Sequence, residues 1–228
     1  MENYPLVPIG YVKSDFDEKF GIPRQSGLVP SLESEIIFYP EYGREDAFRG
    51  LEEFSHIWVL WLFSKAEESG ISDTVRPPRL GGNERVGVYA TRSPYRKNRI
   101  GLSSLRLLSV TRRNGTAVLK VAGADMLDGT PVIDVKPYIP YTDIHTDAVG
   151  GFADDFKNYS LKVECPRELL EKLPEGKRSS LIGILSQDPR PSYKEDGDRV
   201  YKMNFANYGI RFSVSEGVLH VLDVNPLF

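Results

Sequence analysis

The sequence predicts a mainly β protein: a single closed antiparallel β-barrel domain over residues 1–141, followed by a small α+β C-terminal domain over 142–228. Three observations predict it. Runs 8–13, 35–39, 55–63, 85–90, 103–111, 116–122 and 130–135 are short, rich in β-branched and aromatic residues, and bounded by Gly, Pro, Asn or Asp, as strands of one sheet are. Helices of 10–15 residues between the strands, which a doubly wound α/β sheet needs, are missing, and closing the sheet on itself removes exposed strand edges. Helical spacing returns only after a polar, aperiodic stretch at 142–155.

Within the first part, Asn114-Gly115 separates two strand runs and fits the two φ > 0 positions of a type I′ hairpin turn. Residues 44–53 carry the one helical pattern of this half. The stretch 142–155 reads as an exposed connection. Pro166-Arg-Glu-Leu-Leu-Glu-Lys-Leu173 has amphipathic spacing with Pro at its start, and 179–187 is a second helix candidate. Runs 200–205, 209–214 and 218–224 then read as strands, the last two joined through Ser215-Glu216-Gly217.

The chain has 228 residues, with 29 Lys+Arg against 32 Asp+Glu and a net charge of -3. That sum gives no reason to expect a nucleic-acid partner, but it is unevenly spread. Residues 76–106 carry +7, and the remainder of the chain carries -10. Such a concentration of Arg and Lys points to an anionic ligand met on one face. The single cysteine, Cys165, forms no internal disulfide, and the longest apolar run, 57–63, is far below the roughly 20 residues of a membrane helix. These features predict a cytoplasmic protein with no membrane partner.

Common catalytic patterns are missing. No Cys pair and no H-x-x-x-H occurs among His56, His145 and His220, so no metal is expected, and His56 reads as a hydrogen-bonded core residue. There is no G-x-S-x-G, P-loop or G-x-G-x-x-G, and Cys165 reads as an inert thiol. What remains is four dense segments. Phe20-Gly-Ile-Pro-Arg-Gln-Ser-Gly27 sets a guanidinium and an amide beside two glycines, as a ligand loop or a rigid surface loop. Arg76-Pro-Pro-Arg-Leu-Gly-Gly-Asn83 and Thr91-Arg-Ser-Pro-Tyr-Arg-Lys-Asn-Arg99 mix cations with Tyr and Asn, which contact phosphates and stack on bases. In the carboxylate-rich segment Asp125-Met-Leu-Asp-Gly-Thr-Pro-Val-Ile-Asp-Val-Lys-Pro-Tyr138, Asp134, Lys136 and Tyr138 alternate onto one strand face, lining a pocket or facing solvent.

Taken together, Phe20-Gly-Ile-Pro-Arg-Gln25, Leu51-Glu-Glu-Phe-Ser-His56, Val75-Arg-Pro-Pro-Arg-Leu-Gly-Gly82, Gly87-Val-Tyr-Ala-Thr-Arg-Ser93, Asn98-Arg-Ile-Gly-Leu-Ser103 and the 128–138 segment resemble the TrmO (TsaA-like, YaeB-like) family of tRNA methyltransferases. The likeness runs in register over about residues 6–141, and Gln187-Asp-Pro-Arg-Pro-Ser-Tyr193 is similar to a motif of the family's C-terminal domain. The resemblance implies a β-barrel enzyme that uses S-adenosyl-L-methionine, works as a homodimer, and methylates N6 of N6-threonylcarbamoyladenosine beside the tRNA anticodon. It assigns cofactor contacts to Gln25, Ser26, Gly27, Ser64, Lys65, Arg92, Leu102, Asp125, Met126, Leu127 and Asp128.

This chain departs from many members at Ser64-Lys65, where they carry His-Gln, and at Lys97 and Arg99, where they carry prolines. The second change loses stiffness and adds charge. For the reaction so implied, Asp134 and Tyr138 are candidates to take the N6 proton, with Lys136 pairing the substrate's threonyl carboxylate. Arg76, Arg79, Arg96, Lys97 and Arg99 are expected to grip anticodon-loop phosphates. The rival expectations are a non-catalytic RNA-binding barrel and a methyltransferase for another acceptor.

Overall fold

Alternating burial along short strands closes the first sheet of this chain around an apolar interior. The computed structural model describes residues 4–81, 84–190 and 199–227. Contacts divide the chain into two units, one of residues 1–14, 25–75 and 86–138, the other of 15–24, 76–85 and 139–228. The segments 15–24 and 76–85 are therefore grouped with the C-terminal residues.

In the first unit the strands are β1 (Gly10–Lys13), β2 (Glu33–Phe38), β3 (His56–Leu62), β4 (Thr74–Val75), β5 (Val86–Gly87), β6 (Ile100–Arg113), β7 (Thr116–Ala122) and β8 (Pro131–Pro137). Six of them form a closed antiparallel barrel in the order β1-β2-β7-β6-β3-β8, with β8 returning to pair β1. Period-2 alternation fills it: Ile57, Val59 and Trp61 of β3 and Leu105 of β6 join Ile36, Leu119 and Val132 in the core. Asn114 and Gly115 both have positive φ, as the β6–β7 hairpin requires.

One irregularity sets the chemistry of β8. Leu60 pairs with Asp134 but Trp61 pairs with Val132, so Ile133 is an extra residue in that strand. The bulge lets Val132 and Val135 both pack on the core. Asp134 and Lys136 consequently take the outer phase, opposite Leu60 and Trp58.

Three expectations are corrected here. Only Val86–Gly87 of the run 85–90 is extended, pairing β4 outside the barrel, and Val88–Ala90 is a 3₁₀ turn. The Val88 carbonyl is used by Thr91 N, Thr91 Oγ and Arg96 Nη2, which leaves no acceptor for a ladder. Residues 44–53 form two 3₁₀ turns, Glu45–Phe48 and Leu51–Glu53, broken by Gly50 at φ 85°. His56 is an exposed residue on the outer barrel face, its Nδ1 2.9 Å from Ser55 Oγ, and not part of the core.

The second unit carries α1 (Pro140–Asp143), β9 (Lys162–Glu164), α2 (Arg167–Leu170), α3 (Glu175–Ser186), β10 (Tyr201–Phe205), β11 (Tyr208–Ser215) and β12 (Val218–Pro226). Its sheet runs β10-β11-β12-β9, with β9 parallel to β12. Leu181, Ile184 and Leu185 of α3 are buried, as are Met203, Phe205 and Phe212 of the sheet. The helix starts at Glu175, before the expected 179, because Pro174 in extended conformation sets its first turn. The chain thus forms the expected mainly β architecture, a closed barrel and a small α+β region.

Candidate cofactor site

The site grows from one cross-strand pair. Trp61 of β3 faces Gly101 of β6, where a Cβ would lie 2.2 Å from the indole Cε2, so the ring packs where the glycine has no side chain. From there Trp61 Nε1 donates to Ser103 Oγ (3.0 Å), and Ser103 Oγ donates to Asp125 Oδ1 (2.7 Å). Ser103 is 1% exposed, so this relay leads from the barrel interior to a carboxylate in the segment that follows β7.

A second contact lays the glycine loop beside that carboxylate. Gly27 N donates to Gly123 O (2.8 Å), and a Cβ on Gly123 would stand 3.0 Å from Gly27 Cα and N. Gly123 also has φ 80°, so both its conformation and its neighbour exclude a side chain. The backbone of Ser26 then hydrogen-bonds Asp125, and Arg92 Nη1 donates to Gln25 Oε1 (2.5 Å) while its charge acts on Asp125. Gln25, Ser26, Arg92, Ser103 and Asp125 are one polar cluster. Burial pushes the Asp125 carboxyl above its ordinary value, against the hydrogen bond from Ser103 and the charge of Arg92. A partly desolvated carboxylate held in this way is suited to a cationic or hydroxyl-bearing ligand.

The neighbouring expected residues have other duties. Asp128 accepts from Lys13 Nζ (2.9 Å) and Ser14 N (3.0 Å), while Ser14 Oγ donates to the Met126 carbonyl (2.9 Å), fastening the end of β1. Met126 is 1% exposed and its side chain belongs to the core, so its backbone is what it offers a ligand. Leu127 is partly buried, and its carbonyl accepts from Thr130 N. Ser64 and Lys65 are exposed at the start of a 3₁₀ segment after β3, whose Phe63 N–H bonds the Arg99 carbonyl (2.9 Å). Leu102, 51% exposed, is on the outer face of β6 opposite Leu60.

Asp134, Lys136 and Tyr138 fall on that same outer face. Lys136 Nζ is 2.8 Å from Asp134 Oδ2, and this hydrogen bond holds the exposed Lys136 ammonium above its ordinary pKa. The Tyr138 ring is 5.4 Å from Trp58 and 6.2 Å from His56. Tyr138 stands four residues beyond Asp134, about 13 Å along the strand at ~3.3 Å per residue. Within one chain, these three are not drawn into the Asp125 cluster.

The basic segments divide as well. Arg96 donates from Nε to the Ser93 carbonyl (2.9 Å) and from Nη2 to the carbonyls of Val88 (3.1 Å) and Thr91. Its guanidinium thus braces the turn that presents Arg92. Lys97 is exposed and Arg99 half-buried in the first unit; Arg76, exposed, and Arg79 belong to the second. Gly82, Asn83 and residues 191–193 of the expected motifs lie outside the described residues. Sequence reasoning did not single out Trp61 and Ser103. The available signal was a serine in the inward phase of an apolar strand, a position where a hydroxyl needs a partner. Among the described residues, no group of three or more His, Cys, Asp or Glu is placed to hold a metal ion.

Comparison with known proteins is consistent along the chain. Residues 11–144 match the tRNA-methyltransferase O N-terminal domain, and 158–227 match the TrmO C-terminal domain. The tRNA (adenine(37)-N6)-methyltransferase of Escherichia coli (strain K12) is 38% identical over 234 residues, covering 99% of this chain and 100% of its own. A Pseudomonas aeruginosa protein, RcsF, whose name describes an S-adenosylmethionine-dependent methyltransferase, is 40% identical over 97% of each chain. A crystal structure of TrmO from Pseudomonas aeruginosa superimposes with a TM-score of 0.77 at 33% identity, covering 98% of this chain and 99% of that one.

Proposed function

The chain belongs to the TrmO family and is an S-adenosylmethionine-dependent tRNA adenine-N6 methyltransferase, and we propose that its acceptor is N6-threonylcarbamoyladenosine beside the anticodon. The observation that carries the cofactor reading is the Asp125 cluster. S-adenosylmethionine, when bound, supplies a methyl group on a sulfonium, together with an ammonium, a carboxylate and a ribose. The residues fit those groups: Asp125 complements an ammonium or ribose hydroxyls, the Arg92 guanidinium a carboxylate, and Gly27 permits close backbone approach.

Methyl transfer is an in-line displacement, so the chain's main task is to hold N6 of the acceptor in line and at near-attack distance. Gln25, which accepts a hydrogen bond from Arg92, and Ser26, bonded to Asp125, stand beside the cofactor for that purpose. We assign the substrate-facing work to the outer face of β8. There Asp134 takes the N6 proton, Lys136 pairs with the threonyl carboxylate, and Tyr138 with Trp58 offers an aromatic surface to the base. Leu60, Leu102 and Trp58 make the same face apolar, and we take a second copy of the chain to cover it, so that the working unit is a homodimer. Lys97, Arg99 and Arg76 meet the phosphates of the anticodon loop, and the reaction takes place in the cytoplasm.

The test is nucleoside mass spectrometry of tRNA from a strain lacking this gene. Methylated threonylcarbamoyladenosine should vanish and return on complementation. Its persistence in the deletion strain would remove the substrate assignment, while calorimetry with S-adenosylmethionine checks the cofactor separately.

A further inference from the structure

The second unit holds a cluster that the cofactor site does not use. Asp188, 5% exposed, is gripped by Arg190 through Nε to Oδ1 (2.8 Å) and Nη2 to Oδ2 (3.0 Å), and Tyr159 Oη donates to the same Oδ2 (2.8 Å). Burial raises Asp188, but the hydrogen bonds from Arg190 and Tyr159 outweigh it and hold the carboxyl below its ordinary value. That carboxylate is already satisfied, yet two more guanidinium groups gather around it. Arg24 Nη2 donates to the Arg190 carbonyl (2.9 Å), and Arg79 Nη2 donates to the Gln187 carbonyl (3.2 Å). The Arg79 guanidinium lies over the Tyr159 ring, 4.2 Å from its centroid.

Three guanidinium groups and one carboxylate leave an excess of two positive charges in a partly buried place. Burial and the adjacent Arg79 charge both pull Arg24 below its ordinary pKa, against the charge of Asp188. Each guanidinium has five N–H donors, and a single backbone carbonyl uses few of them. A further polar group points the same way. Tyr201, 6% exposed and close enough for its phenol to act on the Arg190 charge, has a buried Oη with no hydrogen-bond partner among the described residues.

We propose that Arg24 and Arg79, backed by Arg190 and the Tyr201 phenol, form an oxyanion site that receives a phosphate of the RNA backbone. Planar guanidinium forks match phosphate oxygens two at a time, and the stack on Tyr159 fixes the orientation of one fork. A polyanion suits the site better than a lone small anion, because the segment 76–85 that supplies Arg79 also carries Arg76 and Arg85, both exposed. The inference rests on the reading of this chain as a tRNA methyltransferase.

The experiment compares the full-length wild type with the Arg24→Gln/Arg79→Gln double variant in filter binding of a tRNA transcript over a salt series. The expected result is a Kd raised about tenfold near 0.1 M salt and a log–log salt slope shallower by about one, since each neutralised phosphate contributes close to one released counterion. Calorimetric affinity for S-adenosylmethionine should be retained, and circular dichroism melting reports folding. Arg79→Lys keeps the charge and the stem, so it should keep the slope while losing several-fold in affinity; it also serves if the double variant does not fold. An unchanged Kd and slope overturn the proposal. So does saturable binding of inorganic phosphate that the double variant loses while its tRNA affinity stays at the wild-type level. A wild type that binds no tRNA removes the underlying reading, whereas wild-type binding with an indifferent variant removes only this site.

Discussion

Asp125 shows how one side chain carries opposing demands. Burial disfavours its ionised form, while a cationic ligand requires it. Because its folded-state pKa is raised, the unfolded chain ionises first as pH rises. The folded state therefore binds more protons between the two pKa values, stability falls across that window, and the penalty persists above it. Asp125→Asn, which still accepts the Ser103 hydrogen bond, should melt higher than wild type at pH 7 and converge with it below the ordinary carboxylate range. The same variant should bind S-adenosylmethionine at least tenfold more weakly by calorimetry. A lower melting temperature at pH 7 would contradict the desolvation account. Arg96 teaches a different lesson at this scale. Its guanidinium donates to three backbone carbonyls and braces the turn that carries Arg92, a duty that its charge alone does not disclose. Composition counts a cation; it does not say whether the cation is already occupied.

At the scale of elements, the barrel is legible because strand periodicity and turn chemistry are local. The Asn114-Gly115 hairpin and the buried face of β3 follow from residues adjacent in sequence. The β8 bulge is different, since an extra residue at Ile133 appears only when β8 is laid against β3. It turns Asp134 and Lys136 outward and resolves the choice between pocket and outer face. Close packing at the β3–β6 pair makes a second prediction. Gly101→Ala would drive a methyl group into the Trp61 ring, and overpacking of this kind costs about 1–3 kcal/mol. Urea unfolding should show that loss, and the displaced indole should weaken the Ser103–Asp125 link and with it cofactor binding. Stability equal to wild type would mean that the indole has room to move.

For the whole molecule, the net charge of -3 conceals a basic stretch of +7, and contacts split that stretch between the two units, Arg76 and Arg79 in one, Arg92 to Arg106 in the other. The outer face of β3, β6 and β8 raises a separate question of assembly. Leu102 is 51% exposed beside Leu60 in an apolar strip, and burial of such area drives association at about 25 cal/mol per Å². Leu102→Asp should shift the protein from dimer to monomer in size-exclusion chromatography with light scattering. It should also reduce methyl transfer to tRNA. A wild type that is already monomeric at micromolar concentration would rule out this face as the interface.

The sequence by itself determined the mainly β class, the hairpins, the α+β tail and the family, because those depend on periodicity, turn residues and linked motifs along the chain. It also located the segments that meet at the Asp125 cluster, residues 25–27, 92 and 125. Only the tertiary structure decided which residues of those segments touch. The Gly27–Gly123 approach, the Trp61–Ser103–Asp125 relay and the grouping of Arg24 and Arg79 around Asp188 all join residues distant in sequence. Such contacts are set by barrel closure and side-chain packing, and no local pattern encodes them.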